Sequence, residues 1–520
     1  MITLAIDNQK VQVPAGTTVL EAAEKLGIAI PTLCHKQGFE PSAGCMVCVV
    51  QISGFSWLMP SCGTPAEEGM AVQTGTNEVN LARRAALELL LSDHIGDCEG
   101  PCRLGCPANM DIPRMIRFIA EGRADKAIEI IRRDIALPAV LGRICPAPCE
   151  KVCRRAAQDA PVSIRLLKRF AADADLDAPA PYRPVCKKPT GRSVAIVGAG
   201  PCGLSAAYYL AQKGHRCVLL EKNDQPGGML RCAELKEKLP SRILDREISR
   251  IMDLGVQLQG GRELGRDFSL ERLQKEFDAV FLAIGQPDHR PPLRLPLEMN
   301  EKKIVADRRT FRTSLEGIFA GGGALSSRRM CVKSVADGKE AAEAIDQFLR
   351  GQPPTGFQKE FNSRLGTLTK EEWKVFVNGA DPQGRLEPDS PGGGFTALQA
   401  QSQARRCLHC DCRKKKNCKL RKLSTELKAV SGTYSGQRRG YSRIDDHPEA
   451  IFESGKCIQC GLCIQVLKRA GLGKGLTFRG RGFGVQIAAA LDGPILQTAA
   501  EAARQCVQVC PTGAWSLKSK

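Results

Sequence analysis

The chain has 520 residues, 43% hydrophobic and 25% charged, which gives room for several domains with cores of their own and excludes wholesale disorder. No apolar run reaches the roughly 20 residues of a membrane span, and no basic and apolar leader precedes the first strand, so a cytoplasmic protein without secretory signal or membrane span is expected. The formal charge of +19 does not point to nucleic acid, because aromatic side chains are only 5% and no base-stacking motif is present; a docking face for an acidic partner is expected instead. Of the 24 cysteines, 18 fall in tight groups, which in a chain without an export signal points to metal or cluster ligands rather than disulfides. The scattered six (Cys186, Cys202, Cys217, Cys232, Cys331 and Cys506) are expected to be small buried hydrophobes.

Residues 1–78 read as a small half-β domain: alternating runs at 2–7 and 10–13 form a hairpin around Asn8-Gln9, and 17–26 has helical periodicity. Cys34, Cys45, Cys48 and Cys62 put three ligands near one loop and a fourth returning from afar, which suits a [2Fe-2S] site, with zinc as the alternative. The turn Gly44-Cys45-Met-Val-Cys48 lets backbone amides face the sulfurs. With Met59-Pro-Ser-Cys62-Gly-Thr-Pro65, Gly69-Met70 and Val72, the segment resembles the ferredoxin-like N-terminal domain of the NADH-dehydrogenase large iron–sulfur subunit and of iron-only hydrogenases. That resemblance implies a β-grasp 2Fe-2S ferredoxin domain.

Residues 79–176 are expected to be helical, with amphipathic stretches at 81–92 and 112–134 and cysteines at the joints. Here Cys98, Cys102 and Cys106-Pro107 are answered by Cys145, Cys149 and Cys153, and the six can build two [4Fe-4S] sites only by sharing ligands between the runs. The segment resembles the N-terminal cluster domain of the glutamate synthase small subunit and dihydropyrimidine dehydrogenase. By that resemblance Cys98, Cys102 and Cys153 hold one cluster, and Cys106, Cys145 and Cys149 the other. His94 is the candidate fourth ligand of the first, since Ser92-Asp-His94 is similar to the histidine-plus-three-cysteine site of the NADH-dehydrogenase subunit; a surface histidine at a helix end is the alternative. For the second the family places a glutamine or acid in the stretch that here reads Val162-Ser-Ile-Arg-Leu-Leu-Lys168, and Lys168 is a poor ligand while protonated.

A proline-rich linker over 177–189 precedes an α/β segment, 192–352, that opens with the strand Ser193–Val197. Gly198-Ala199-Gly200-Pro201-Cys-Gly203 follows that strand and leads into a helix at Ser205: Gly198 for the tight turn, Gly200 for approach to a pyrophosphate, Gly203 for helix–strand packing. Glu221, with Lys222 beside it, ends the second strand at 217–220 and is placed for ribose hydroxyls. Together with Gly227 and Gly228, the run 279–285 ending at Gly285, and the run 317–322 ending at Gly322, the segment resembles the FAD half of the glutamate synthase small subunit. The family's aspartate after the last Gly-Gly is Gly323 here, and its arginine before Leu239 is Lys238. Only about thirty residues separate Gly285 from Gly317, too few for the family's NADPH domain, and no second GxGxxG exists.

A second linker at 381–394 leads to Cys407, Cys410, Cys412 and Cys418 within a basic segment, 396–425, whose four thiolates suit [4Fe-4S] or zinc. Over 448–520, Cys457, Cys460 and Cys463 are completed by Cys510-Pro511, as in ferredoxins, where a distant Cys-Pro closes a site. A second site there lacks its cysteines, Leu467 standing at one of the positions. With Gly475-Leu-Thr-Phe478 and Cys510-Pro-Thr-Gly-Ala514, the segment still resembles the two-cluster domain of the NADH-dehydrogenase subunit.

The expected fold class is therefore multidomain α/β and α+β: a ferredoxin-type domain, a helical double-cluster domain, a Rossmann-like FAD domain and a C-terminal ferredoxin-like 4Fe-4S domain. The expected cofactors are FAD, one [2Fe-2S] and three to four [4Fe-4S] clusters. The expected role is electron transfer for a catalytic oxidoreductase subunit, of formate dehydrogenase or hydrogenase type, with ferredoxin or an NADH-reactive flavoprotein as further candidate partners. No residue is assigned a catalytic role. The alternatives are a self-sufficient NAD(P)H oxidoreductase and a cluster scaffold with a relic flavin site.

Overall fold

The opening hairpin turns on Asp7 and Asn8, both at positive φ (45° and 66°), the left-handed pair that a type I′ turn requires. The turn thus lies one residue before Asn8-Gln9, and Ile6 pairs with Gln9. In this computed structural model, which describes residues 1–286, 295–300, 303–326, 330–434, 436–445, 447–471, 475–489 and 500–518, the chain divides into two units. The first holds 1–99, 360–379 and 410–520; the second holds 100–359 and 380–409. The boundary falls between His409 and Cys410, inside the predicted cysteine-rich segment 396–425.

In the first unit, Ile2–Ile6 lies between Gln9–Val13, antiparallel, and Ala71–Gln73, parallel; Val49–Ile52 and Met59–Pro60 complete a five-stranded sheet. The helix Val19–Lys25 is started by Thr18, whose side chain and that of Glu21 cap each other's backbone amides. Its buried Val19, Leu20, Ala22 and Ala23 join Leu4, Ile6, Val50 and Val72 in one core. The helix Asn77–Ser92 is tied to this sheet by buried Arg83, which donates to the Val49 carbonyl at 2.8 Å. Farther along the chain, Arg443–Ile444, Ala450–Glu453 and Trp515–Leu517 form an antiparallel sheet. The helices Leu462–Arg469 and Ala500–Val509 share its core, centred on Phe452 and Trp515 with ring centroids 5.1 Å apart. The stretch 490–499, where further cysteine positions of a second ferredoxin site would fall, lies outside the described residues.

In the second unit the amphipathic stretch 112–134 is two helices, Ile112–Ala120 and Ala124–Asp134, not one. Gly122, at φ 75°, ends the first as a left-handed cap, a conformation that continuing α-helix cannot contain. Fully buried Arg132 joins these helices to Ile164–Leu176 and Ser241–Met252 through Asp175 (3.3 Å) and Glu247 (3.0 Å). The α/β part is a five-stranded parallel sheet in the order Ile318–Ala320, Ala279–Leu282, Ser193–Val197, Arg216–Leu220, Gln257–Gln259. Its first helix begins at Pro201, four residues before Ser205, because proline's fixed φ and missing amide suit a first turn. The helix Cys331–Leu349 lies so close against it that a Cβ on Gly338 would stand 2.2 Å from the Cys202 carbonyl oxygen. Between Leu282 and Ile318 the described residues hold only the hairpin Met299–Asn300/Lys303–Ile304; residues 287–294 and 301–302 of that stretch lie outside them.

Candidate metal and nucleotide sites

Cys34, Cys45, Cys48 and Cys62 are all buried, with the Sγ atoms of Cys48 and Cys62 3.4 Å apart. Ala43 and Met46, both at positive φ, wrap the loop around Cys45. The four thiols share hydrogen bonds. These pull Cys34 well below an ordinary thiol and Cys48 down to about 6, the latter chiefly through Cys62, while Cys45 and Cys62 are pushed up. The Val47 amide donates to Cys45 and the Cys45 amide to Cys34, as the turn was expected to allow. Four buried thiols with amide donors aimed at them are a donor set that fits a [2Fe-2S] cluster.

Cys106, Cys145 and Cys149 line one cavity of the second unit together with Met110, Ile135, Lys168 and Val332. Ala147, at φ 50°, turns the chain between Cys145 and the short helix Pro148–Lys151 that carries Cys149. Burial pushes Cys149 up to about 12 and raises Cys106; the Met110 amide and the Lys168 ammonium oppose the rise at Cys106. Cys102 and Cys153 are half-buried against the same core, on the segments flanking Gly105, where a Cβ would overlap Val152.

The other two members of the predicted first cubane, His94 and Cys98, belong to the first unit. His94 is held neutral, its pKa lowered to about 4 by burial and then by Lys456, while Glu453 opposes. No cysteine is among the groups that act on it. Cys98 accepts from the Ser363 amide (3.5 Å), and its carbonyl accepts from the Cys412 amide (3.2 Å). Its sulfur acts on the thiols of Cys412 and Cys418, so its cysteine company in this unit is the basic segment's group.

Cys412 and Cys418 are buried and raised by that burial, Cys418 to about 12. A Cβ on Gly513 would stand 2.3 Å from the Cys412 sulfur, so a glycine is required there. The basic residues around this group are not one solvated face: Lys414 donates to the Val507 and Cys510 carbonyls, and within the second unit Arg406 is fully buried and bonds Asp159 and the Ala160 and Gln383 carbonyls. Cys407 lies half-buried in the second unit, accepting from the His409 amide, while Cys410 opens the returning first-unit segment. Among the described residues no three metal-ligating side chains gather around one point as a single ion requires.

Cys457, Cys460, Cys463 and Cys510 line one cavity with Pro511, Thr512 and Trp515. Gln459 and Gly461, both at positive φ, wrap that loop; the Gln459 amide donates to the Cys457 sulfur at 3.3 Å and the Leu462 amide to the Cys460 sulfur. The indole Nε1 of Trp515 is buried without a partner, an orphaned donor at the edge of a four-thiol cavity, which fits an acceptor-rich cluster. Cys506 donates to the Cys463 carbonyl and is buried, and Leu467 is core.

At the nucleotide loop each glycine meets its predicted requirement differently. Gly198 sits at φ 101° with the Ala283 carbonyl where a Cβ would go, and a Cβ on Gly203 would stand 1.9 Å from the Gly198 oxygen. Gly200 faces open space and caps the helix without a side-chain bond, leaving the first-turn amides to a phosphate. Gly228 abuts Gly200, and the Gly227 amide donates to the Ala199 carbonyl. Buried Glu221 accepts from the Ala199 amide at 2.7 Å and from Asn223, which fixes its carboxylate beside the loop. Lys222 follows it, Lys238 is exposed, and Gly285 and Gly322 turn at positive φ at the ends of their strands. A Cβ on Gly323 would lie 3.0 Å from the Gln286 amide nitrogen, so the missing aspartate accompanies a close approach of the 283–286 and 321–324 turns. The loop fits a dinucleotide.

Three family models match: a 2Fe-2S iron–sulfur cluster binding domain over 1–77, dihydropyrimidine dehydrogenase domain II with its 4Fe-4S cluster over 91–179, and an NAD(P)-binding Rossmann-like domain over 196–257. The chain is 43% identical over 195 residues to the NADPH-Fe(3+) oxidoreductase subunit beta of Geobacter sulfurreducens, covering 37% of this chain and 29% of that protein. It is 40% identical over 206 residues to the NADP(+)-dependent formate dehydrogenase subunit beta of Moorella thermoacetica (36% and 29%). It is 38% identical over 220 residues to the glutamate synthase [NADPH] small chain of Mycobacterium tuberculosis (41% and 44%). The chain thus carries segments that match 2Fe-2S, 4Fe-4S and NAD(P)-binding Rossmann-like models, and over about two fifths of its length it is similar to subunits of oxidoreductases, the glutamate synthase small chain among them. The chain spans less than half the length of each of these relatives. Among the described residues no helix is long and apolar enough to cross a membrane.

Two residues of these sites carry no sequence signal, Trp515 and Ser363, because neither belongs to a ligand spacing; only the fold brings them to the thiols.

Proposed function

We propose that the chain is an electron-transfer subunit of a larger oxidoreductase, with the substrate chemistry on a partner of formate dehydrogenase or hydrogenase type. The observation that carries this reading is the pairing of several buried thiol sets with a single dinucleotide loop: between Leu282 and Ile318 the described residues hold a two-stranded hairpin and no second parallel sheet. Clusters carry single electrons and a flavin exchanges two-electron for one-electron traffic. The chain's part is to hold the groups, exclude water from them and present donors to their anionic atoms. The proposed ligands are Cys34, Cys45, Cys48 and Cys62 for [2Fe-2S]; Cys457, Cys460, Cys463 and Cys510 for one [4Fe-4S]; Cys106, Cys145 and Cys149 for a second cubane; and Cys410, Cys412 and Cys418 for a further cluster or zinc. FAD is proposed at Gly198–Gly203 and Glu221, the relatives named for NADPH and NADP(+) being the reason to test nicotinamides directly.

The test is iron, zinc and flavin per chain on anaerobically purified protein, with NADH and NADPH added to the same sample. The expected result is iron and zinc matching these ligand sets, one flavin and no bleaching by either nucleotide. Rapid bleaching by a nicotinamide overturns the relay and makes the chain a dehydrogenase in its own right.

A further inference from the structure

The cavity lined by Cys106, Cys145 and Cys149 has three thiols and, at the same wall, the side chain of Lys168. Lys168 is only 5% exposed, and no hydrogen bond or ion pair of its side chain is found among the described residues. A cationic side chain at this wall favours an anionic occupant. The same wall carries Val332, in the first turn of the helix Cys331–Leu349. The residue before it, Cys331, is partly buried against the same core, and its thiol feels the Cys145 sulfur and the Lys168 ammonium. The helix is held there at 3.1 Å and 3.0 Å by Lys339, which donates to the Ala108 carbonyl, two residues beyond Cys106, and to Asp134. Of the other scattered cysteines, Cys186 is exposed, Cys202 and Cys217 are buried in the nucleotide domain, Cys232 is half-buried and Cys506 donates to a backbone carbonyl, and none of them adjoins in sequence a residue of this cavity's wall.

We propose that Cys331 is the fourth ligand of the cluster held by Cys106, Cys145 and Cys149, with Lys168 as its buried counter-cation rather than its ligand. The thiol gives up its proton and its sulfur binds the iron that the three other cysteines leave open. This rests on the cluster reading of the cavity, and the experiment separates the two. In anaerobically purified full-length protein, Cys145→Ala removes about four irons if the cavity holds a cubane. Unchanged iron in that variant overturns the cluster reading itself.

Cys331→Ala is expected to lose about one iron and to gain the low-temperature EPR signal of an oxidised [3Fe-4S] cluster, with the [2Fe-2S] signal unaltered. Wild-type iron and spectra in Cys331→Ala, beside iron loss in Cys145→Ala, overturn the ligand assignment alone. Should Cys331→Ala fail to fold, alkylation of the wild type decides. Cys331 is expected to resist iodoacetamide in the loaded protein and to react once a chelator has stripped the iron, while Cys232 reacts alike in both. Equal labelling of Cys331 with and without iron overturns the proposal.

Discussion

The Cys34–Cys62 site and the Cys106/Cys145/Cys149 cavity solve the same problem in opposite ways. The first gathers four thiols from one stretch of chain, and they already hydrogen-bond to one another. The second gathers three thiols from two helical joints, with burial raising Cys106 and Cys149, and leaves a buried lysine facing them. A site whose donors share a loop is held by local geometry; one whose donors sit on separate helices depends on the packing and charge of everything between them.

The largest effect should come from breaking the local site. Cys62 is fully buried and shares hydrogen bonds with both Cys34 and Cys48. Cys62→Ala should abolish the [2Fe-2S] signal and remove about two irons, leaving the other clusters' EPR intact. Retention of that signal would show that the four thiols are not one ligand set.

Next in size is the packing that supports the distributed site. Glu247 is fully buried, pairs with Arg132 at 3.0 Å and accepts from the Ala139 amide at 2.9 Å, at the start of the helix that ends at Cys145. Glu247→Ala leaves the Arg132 charge with only Asp175 and should cost about 3–5 kcal/mol of the second unit's stability. Urea unfolding followed by hydrogen exchange of residues 112–176 measures it. The Cys106/Cys145/Cys149 cluster should become labile in this variant while the [2Fe-2S] site stays put.

This difference also governs how much was legible in the sequence. The four-cysteine spacing of 34–62 leads to a set that the fold buries, and that of 457–510 to one gathered around a single cavity with Cys457 and Cys460 half-buried, Cys510 being brought back at the end of the helix Ala500–Val509. The glycines of the nucleotide loop were equally readable, since turn, approach and packing each exclude a Cβ for a local reason. The hairpin turn and the start of the nucleotide helix were misplaced by one and four residues: asparagine and aspartate serve left-handed turns alike, and Pro201 was not weighed as a first-turn residue. The break at Gly122 was missed because the apolar period runs on through it. Cys331 reads in the sequence only as one of the small buried hydrophobes. It stands far from its companions in sequence, and its helix reaches the cavity through tertiary contacts such as Lys339 with Ala108.

A smaller effect should follow from the nucleotide loop. Glu221→Gln keeps the shape but sets an amide N–H where Ala199 or Asn223 now donates, so one buried donor loses its acceptor. FAD affinity should fall by about 1–3 kcal/mol, read by flavin fluorescence on dilution, with iron content unchanged. An unaltered affinity would place the flavin elsewhere.

The smallest expected effect tests whether charge stitches the first unit as it does the second. Glu372, at the start of the helix Lys370–Val377, caps Thr369 and accepts from Arg438 at 2.7 Å and 2.8 Å and from the Tyr441 amide at 2.7 Å. These bonds, Arg438 first, hold its carboxyl down at about 2, against an ordinary value near 4.5. A carboxyl so depressed contributes its full stabilisation above the ordinary value and loses it as the pH falls toward the folded one. At neutral pH Glu372→Gln should therefore loosen this segment by on the order of 1–3 kcal/mol, seen as faster hydrogen exchange over 370–377. The gap between variant and wild type should close as the pH drops below about 4.5, because protonating the wild type makes it resemble the variant. A gap that persists in acid would mean that the side chain's packing, rather than its charge, joins 360–379 to the Arg438 segment, and that the first unit is held by shape where the second is held by ion pairs.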